Sequence, residues 1–153
     1  MSHKPQKRHK ALQPLSRDHH YGLLLCWKIR AGFNKKIDPK RIWIYVSWFY
    51  KNHLISHFEL EEKYIFPILG NGNALVKKAL SQHRRLRRLF KDIDNKTISL
   101  NKIEEELDKH IRFEERILFP EIQKTATESQ LLDIEKIHYE DTFKNKIEDE
   151  FWK

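Results

Sequence analysis

Two imidazole–carboxylate pairs stand out along the chain, each a histidine followed four residues later by a glutamate: His57 with Glu61, and His110 with Glu114. On a helix, residues four apart share a face one turn from each other. Each pair can therefore present two donors to one metal ion or to two neighbouring ions. A single pair would also describe an ordinary surface contact. Here the pairs belong to a longer repeat, HFELEEKYIFP at residues 57–67 and HIRFEERILFP at residues 110–120. His57, Glu61, Glu62, Phe66 and Pro67 recur as His110, Glu114, Glu115, Phe119 and Pro120, and Lys63 and Ile65 are answered by Arg116 and Leu118. Two similar helices facing each other across one core are the expected consequence.

Composition sets the scale of the element that must position these groups. At 153 residues the chain is long enough for one domain with one real core. Hydrophobic residues make up 39% and charged residues 34%, with four Gly and five Pro, a balance that favours helices over turn-rich β architecture. No apolar run approaches the ~20 residues of a membrane span, and the basic start MSHKPQKRHK is followed by no apolar signal region. The lone Cys26 cannot close an internal disulfide, which points to a reducing cytoplasm and to a small core residue. The net charge of +8 concentrates in the N-terminal segment and in residues 77–91, where Lys77, Lys78, Arg84, Arg85, Arg87, Arg88 and Lys91 occur without an acid. A solvated helix face accounts for such a run, and a nucleic-acid contact is the secondary reading. No Ser/His/Asp or Cys/His nucleophile arrangement, CxxC pair or Gly-rich phosphate loop is present, so hydrolase, thiol-redox and nucleotide-dependent chemistry find no support.

The expected organisation is a flexible basic arm over 1–13, a metal-binding bundle over 14–125, and a C-terminal helix over 126–153 packing on it. A first helix over 15–33 carries His20, Leu23, Leu24, Trp27 and Ala31 on its stripe. Asp38 and Pro39 open a second helix running to about Phe66, with Ile42, Val46, Phe49, His53, His57, Glu61, Tyr64 and Ile68 inward and Pro67 at its end. A third helix over 74–93 places Val76, Leu80, His83, Leu86, Phe90 and Ile93 together. Ser99 is the expected cap of a fourth helix carrying Ile103, Leu107, His110, Glu114, Ile117 and Glu121. Thr127 and Gln130 form a capping-box signal for a fifth helix over 128–150, with Leu131, Ile134, Ile137 and Phe143. The simplest architecture is all-α, an up-and-down four-helix bundle with an additional C-terminal helix.

Each core helix then places one histidine on its apolar stripe: His20, His57, His83 and His110. The second and fourth add Glu61 and Glu114. A buried ionised Glu costs several kcal/mol unless it is paired or bound to a cation. Two ions, each taking two imidazoles and sharing the carboxylates, would remove that cost. Imidazole with carboxylate suits iron, manganese or zinc, and the two-ion arrangement favours iron. In the first helix, His20 is followed by Leu23, Leu24 and Trp27 at plus three, four and seven, which ranks it ahead of His19, followed by Gly22 at plus three. His53 and Glu106 are nearby groups more suited to outer contacts or the surface. Glu62 and Glu115 are expected to point away, and Tyr50, Tyr64, Trp43, Trp48 and Trp152 to pack. His138 and Asp141 belong to the fifth helix.

The order of these six residues, with HxxxE kept twice, resembles the hemerythrin-like (HHE cation-binding) family over residues 15 to about 122. The resemblance implies an up-and-down four-helix bundle around a non-haem di-iron centre bridged by the two Glu residues. Oxygen-carrying members have a second His four residues after that of the third helix, where this chain has Arg87. They also end the fourth-helix motif with an Asp five residues after the His, whereas this chain has Glu114 four after. The four-His, two-Glu version implied here is similar to that of iron-centre repair proteins and other hemerythrin-like members. The expected activity is binding or reduction of a small diatomic ligand or peroxide, in O2 or NO sensing, detoxification or repair. The alternative is a non-catalytic iron-sensing module whose folded state a partner reads. Arg87 is expected either to face solvent or to swing over the site toward an anion.

Overall fold

A computed structural model of the chain describes residues 7–137 and 149–153, and no strand occurs among them. Four helical rods dominate. The first is α1, Gln13–Asn34. The second is continuous: α2 (Pro39–Phe49), a π turn over Tyr50–Leu54, α3 (Ile55–Leu60), a second π turn over Glu61–Ile65 and a closing 3-10 turn over Phe66–Ile68. The third is α4, Ala74–Lys91. The fourth joins α5 (Lys96–Phe113), a π turn over Glu114–Leu118 and α6 (Phe119–Thr125). A short α7, Glu128–Glu135, follows. No helix among the described residues is long and apolar enough to cross a membrane.

Local chemistry sets the ends of the rods. Asp38 caps the second by accepting from Lys40 N, and Asn73 caps the third by accepting from Leu75 N and Val76 N. The fourth begins earlier than expected, because Asn95 rather than Ser99 is its cap, accepting from Ile98 N. Ser99 is instead buried inside the first turn, where its hydroxyl donates to the Asp92 carbonyl at 3.1 Å. The Thr127–Gln130 capping box forms as expected. α7 ends at Glu135, short of the expected helix, and Lys136, Ile137, Asp149 and Glu150 are not helical; His138, Asp141 and Phe143 lie outside the described residues.

Both copies of the repeat widen at the same place. The N–H of Phe66 donates to Glu61 O, and that of Phe119 donates to Glu114 O, five residues back in each case. One extra residue per turn advances the buried stripe by one position. Tyr64 and Ile117, expected inside, are therefore 41% and 49% exposed, while Ile65 and Leu118 take the buried places. Pro67 and Pro120 follow the widened turns and have no N–H to give. The second rod closes in its 3-10 turn, whereas the fourth runs through Pro120 into α6.

Two apolar clusters lie on either side of a polar layer. One contains Leu25, Ile29, Val46, Phe58, Leu86, Ile103 and Leu107; the other contains Leu12, Leu15, Ile65, Phe66, Val76, Phe119 and Ile122. Read along the chain, the first and third rods pass from the second cluster to the first, and the second and fourth pass back. The buried histidines and glutamates fall at each crossing. Cys26 lies in the first cluster, where burial pushes its thiol up to about 12 and leaves it inert at neutral pH.

From Lys7 onward the segment before α1 packs against the rods, because Ala11 and Leu12 bury in the second cluster and Arg8 donates to Gln123 Oε1 and the Glu115 carbonyl. α7 adds Leu131 and Ile134 to that cluster. At the other end, Phe151 and Trp152 pack on Tyr45, and Lys28 donates to the Tyr45 hydroxyl at 2.7 Å beneath the Trp152 ring.

Close approach of α1 to α5 depends on Gly22, where an added Cβ would lie 2.6 Å from Ile111 Cδ1. Gly22→Val is expected to destabilise the fold by roughly 1–3 kcal/mol, the usual range for overpacking. Chemical denaturation measures it, and an unchanged midpoint would show that the two helices do not need this contact.

Candidate metal centre

The polar layer is built from six side chains: His19 of α1, His57 of α3, His83 of α4, His110 of α5, and Glu61 and Glu114 at the head of the two repeated π turns. All six are buried, and both glutamates are 0% exposed. They form two overlapping groups. His19, His57, Glu61 and Glu114 offer donor atoms within 4.8 Å of one another, and so do Glu61, His83, His110 and Glu114. The two carboxylates belong to both.

Every imidazole turns Nε2 to the centre. His19 Nε2 lies 2.9 Å from Glu114 Oε1 and 3.2 Å from His57 Nε2. His57 Nε2 and His83 Nε2 each lie 3.2 Å from Glu61 Oε1, and His110 Nε2 lies 3.4 Å from Glu114 Oε1. This common orientation has a cause in the outer layer. Each Nδ1 donates to an oxygen: His19 to Glu115 at 2.9 Å, His57 to Asp18 at 3.0 Å, His83 to Glu62 at 2.7 Å and His110 to Gln82 at 2.6 Å. Carboxylates only accept, so the proton sits on Nδ1 and the lone pair of a neutral ring faces inward.

The outer layer repeats as the inner one does. Glu62 and Glu115, equivalent in the two copies, each support the lone histidine of a neighbouring rod. Arginines hold them in turn: Arg87 pairs with Glu62 at 2.8 Å, and Arg8 approaches Glu115 at 3.9 Å. The repeated phenylalanines line the same histidines, with Phe119 stacked on His19 at 5.2 Å and Phe66 tilted against His83 at 5.3 Å. Phe58 stacks on the other face of the layer at 3.9 Å from His83.

Electrostatics follow from two buried carboxylates among four imidazoles. Burial alone would lower the histidines, but contacts with Glu114 and Glu115 raise His19, and Glu61 with Asp18 raises His57 well above the usual range. His83 is raised to about 10 against its burial by Glu114, Glu61 and Glu62. Glu114 is held well below the carboxylate range despite burial, by His110, His19 and His83. With no metal bound, the raised imidazoles favour their charged form beside Glu114. Even so, Glu61 Oε1 and Oε2, Glu114 Oε2, His83 Nε2 and His110 Nε2 are buried without a hydrogen bond. Several of these atoms lie near one another but are not aligned for one. Each such atom costs about 1–3 kcal/mol, and cations among them would satisfy all five. The donor set therefore fits metal ions.

Five of the six residues expected from sequence meet in this layer. His20 does not: it is exposed, and His19 takes the place. Gly22 misled the sequence reading. It is an inward position left small for Ile111, and with Leu15 and Cys26 it marks the His19 face. Trp27, on the supposed His20 face, is 48% exposed. Glu62 and Glu115 turn to the histidines rather than away from them. Arg87 neither faces solvent freely nor covers the centre; it is paired with Glu62. Glu106 is a partner of Arg85, Tyr50 stacks on Phe90, and His53 sits against Trp48 and Phe49. Asp18 and Gln82 were missed as supports; their one signal was position, each directly before a ligand-bearing residue on its helix.

His19→Ala is expected to lower metal affinity by well over the ~10–100-fold of an outer-layer change, whereas His20→Ala leaves it unaltered. Calorimetric titration with ferrous iron under anaerobic conditions compares the two.

Helical rods that converge histidines and shared carboxylates on one buried layer present the donor set of a histidine–carboxylate metal centre. The hemerythrin HHE cation binding domain matches residues 15–122, and the chain belongs to that family. Membership implies cation binding, with iron the usual ion. No curated protein and no solved structure gives a significant match.

Proposed function

We propose that the four rods form an up-and-down bundle holding two iron ions, and that the protein binds or reduces a small diatomic ligand or peroxide in the cytoplasm, in sensing, detoxification or iron-centre repair. The observation that carries this reading is the sharing of Glu61 and Glu114 by two donor groups. His19 and His57 would hold one ion, His83 and His110 the other, and the two glutamates would span both. Bound iron would supply paired one-electron redox equivalents and Lewis acidity. The protein's own part is positional: the Nδ1 hydrogen bonds fix four Nε2 atoms, the apolar clusters exclude bulk water, and Phe58, Phe66 and Phe119 wall the layer. The basic run of α4 is partly neutralised within the fold, since Arg85 and Arg87 are ion-paired, which favours a small ligand over nucleic acid.

Elemental analysis and absorption spectra of protein purified without oxygen and then exposed to air test the proposal. About two irons per chain, with near-ultraviolet bands appearing in air, support it. Tight iron binding without any spectral or redox response would favour the metal-dependent folding module instead.

A further inference from the structure

The four outer acceptors are not alike. In one donor group, His19 rests on the Glu115 carboxylate and His57 on that of Asp18. In the other, His83 rests on the Glu62 carboxylate, but His110 donates to the amide oxygen of Gln82. Asp18 and Gln82 are counterparts in the quasi-symmetric layout. Each directly precedes the lone histidine of its rod, and each reaches the HxxxE histidine of a neighbouring rod. The layout is thus matched at three corners and broken at the fourth, where a full negative charge is replaced by a dipole.

That difference has a chemical consequence. A carboxylate accepting from Nδ1–H draws the proton outward and leaves Nε2 richer in electron density, so the imidazole is a stronger donor to a cation. A neutral amide does this less. Gln82 also lines a cleft of about 240 Å³, with Ser81, Arg85, Leu86, Glu106 and Lys109. On the first group, Asp18 and Glu115 give both imidazoles carboxylate support.

We infer that the two ion positions are inequivalent, with the His19/His57 position filling first and the His83/His110 position weaker, and that the Asp18/Gln82 difference sets the gap. This rests on the two-ion reading above. Asp18 and Gln82 are positioning residues, acting through His57 and His110.

The test is anaerobic titration of the metal-free protein with cobalt(II) and with ferrous iron, followed by calorimetry and, for cobalt, by visible absorption. Two steps separated by about 10–100-fold in affinity are expected, the range typical of outer-layer changes. Gln82→Glu should strengthen the second step about tenfold and leave the first unchanged, while Asp18→Asn should weaken the first by about the same factor. Both substitutions are nearly isosteric, and circular dichroism of the metal-free variants confirms that they fold. Two ions taken up with equal affinity, or a gap that neither substitution moves, overturns the inference and leaves the two-ion reading standing. No uptake by the folded wild type overturns both.

Discussion

Alanine in place of either Glu61 or Glu114 is expected to empty both ion positions, whereas alanine in place of one histidine is expected to empty one. The difference follows from membership: each glutamate belongs to both donor groups, while His19 and His57 serve one and His83 and His110 the other. Losing a shared carboxylate, itself fully buried, also removes one of the two negative charges that balance the cations. A ligand present at 1,000 times its Kd stabilises a fold by about 4.1 kcal/mol. At ~2–4 °C per kcal/mol for a domain of this size, metal should raise the wild-type Tm by about 8–16 °C. Glu61→Ala and Glu114→Ala should lose that rise entirely, and His57→Ala should keep part of it. The metal-free variants should melt below the metal-free wild type, because the contacts that raise the imidazoles go with the carboxylate, so each rise is read against the same variant without metal. Metal content after desalting, read beside the melts, gives the count. A Glu61→Ala protein that retains one ion at full affinity would show that the two groups do not share that carboxylate.

Much of this layer was legible in the sequence because two independent periods agreed. The four-residue HxxxE spacing and the long internal offset placed His57, Glu61, His110 and Glu114 together, and the apolar stripe of α4 placed His83 beside them. Helical periodicity failed where its assumption of uniform geometry failed. After each shared glutamate the backbone widens to a five-residue hydrogen bond, so the inward register slips from Tyr64 to Ile65 and from Ile117 to Leu118. His19 was ranked below His20 because Gly22 contributed nothing to a hydrophobic stripe. Contact with Ile111, a tertiary fact, is what makes a glycine an inward residue there. Glu62 and Glu115 lie one position beyond the inward glutamates, where helical periodicity alone points outward. Only the neighbouring rods reveal that this position faces His83 and His19.

Raising the pH should weaken the metal-free protein while it strengthens metal binding. His19, His57 and His83 are all held above the ordinary histidine value of 6.5 by the carboxylates they face. A group raised on folding contributes stability that is complete below its unfolded value and is lost as pH rises through its folded value. For His83 that interval runs from 6.5 to about 10. Glu114 has the opposite sign: held well below 4.5, it contributes above that value and its contribution is lost as pH falls through the folded one, which adds acid sensitivity. For these three imidazoles the extra proton sits on Nε2, since Nδ1 already donates to the outer layer. A metal ion must displace that same proton, so its apparent affinity climbs across the interval in which the metal-free fold declines. The gap in Tm between loaded and metal-free protein should therefore widen from pH 6 to pH 9 by about 5 °C or more, equivalent to roughly 2 kcal/mol. Melts at the two pH values, and titrations in buffers of different ionisation enthalpy to count protons released per ion, measure both sides of the linkage. A gap that narrows with pH, or uptake that releases no protons, would mean that the buried imidazoles are neutral before the metal arrives.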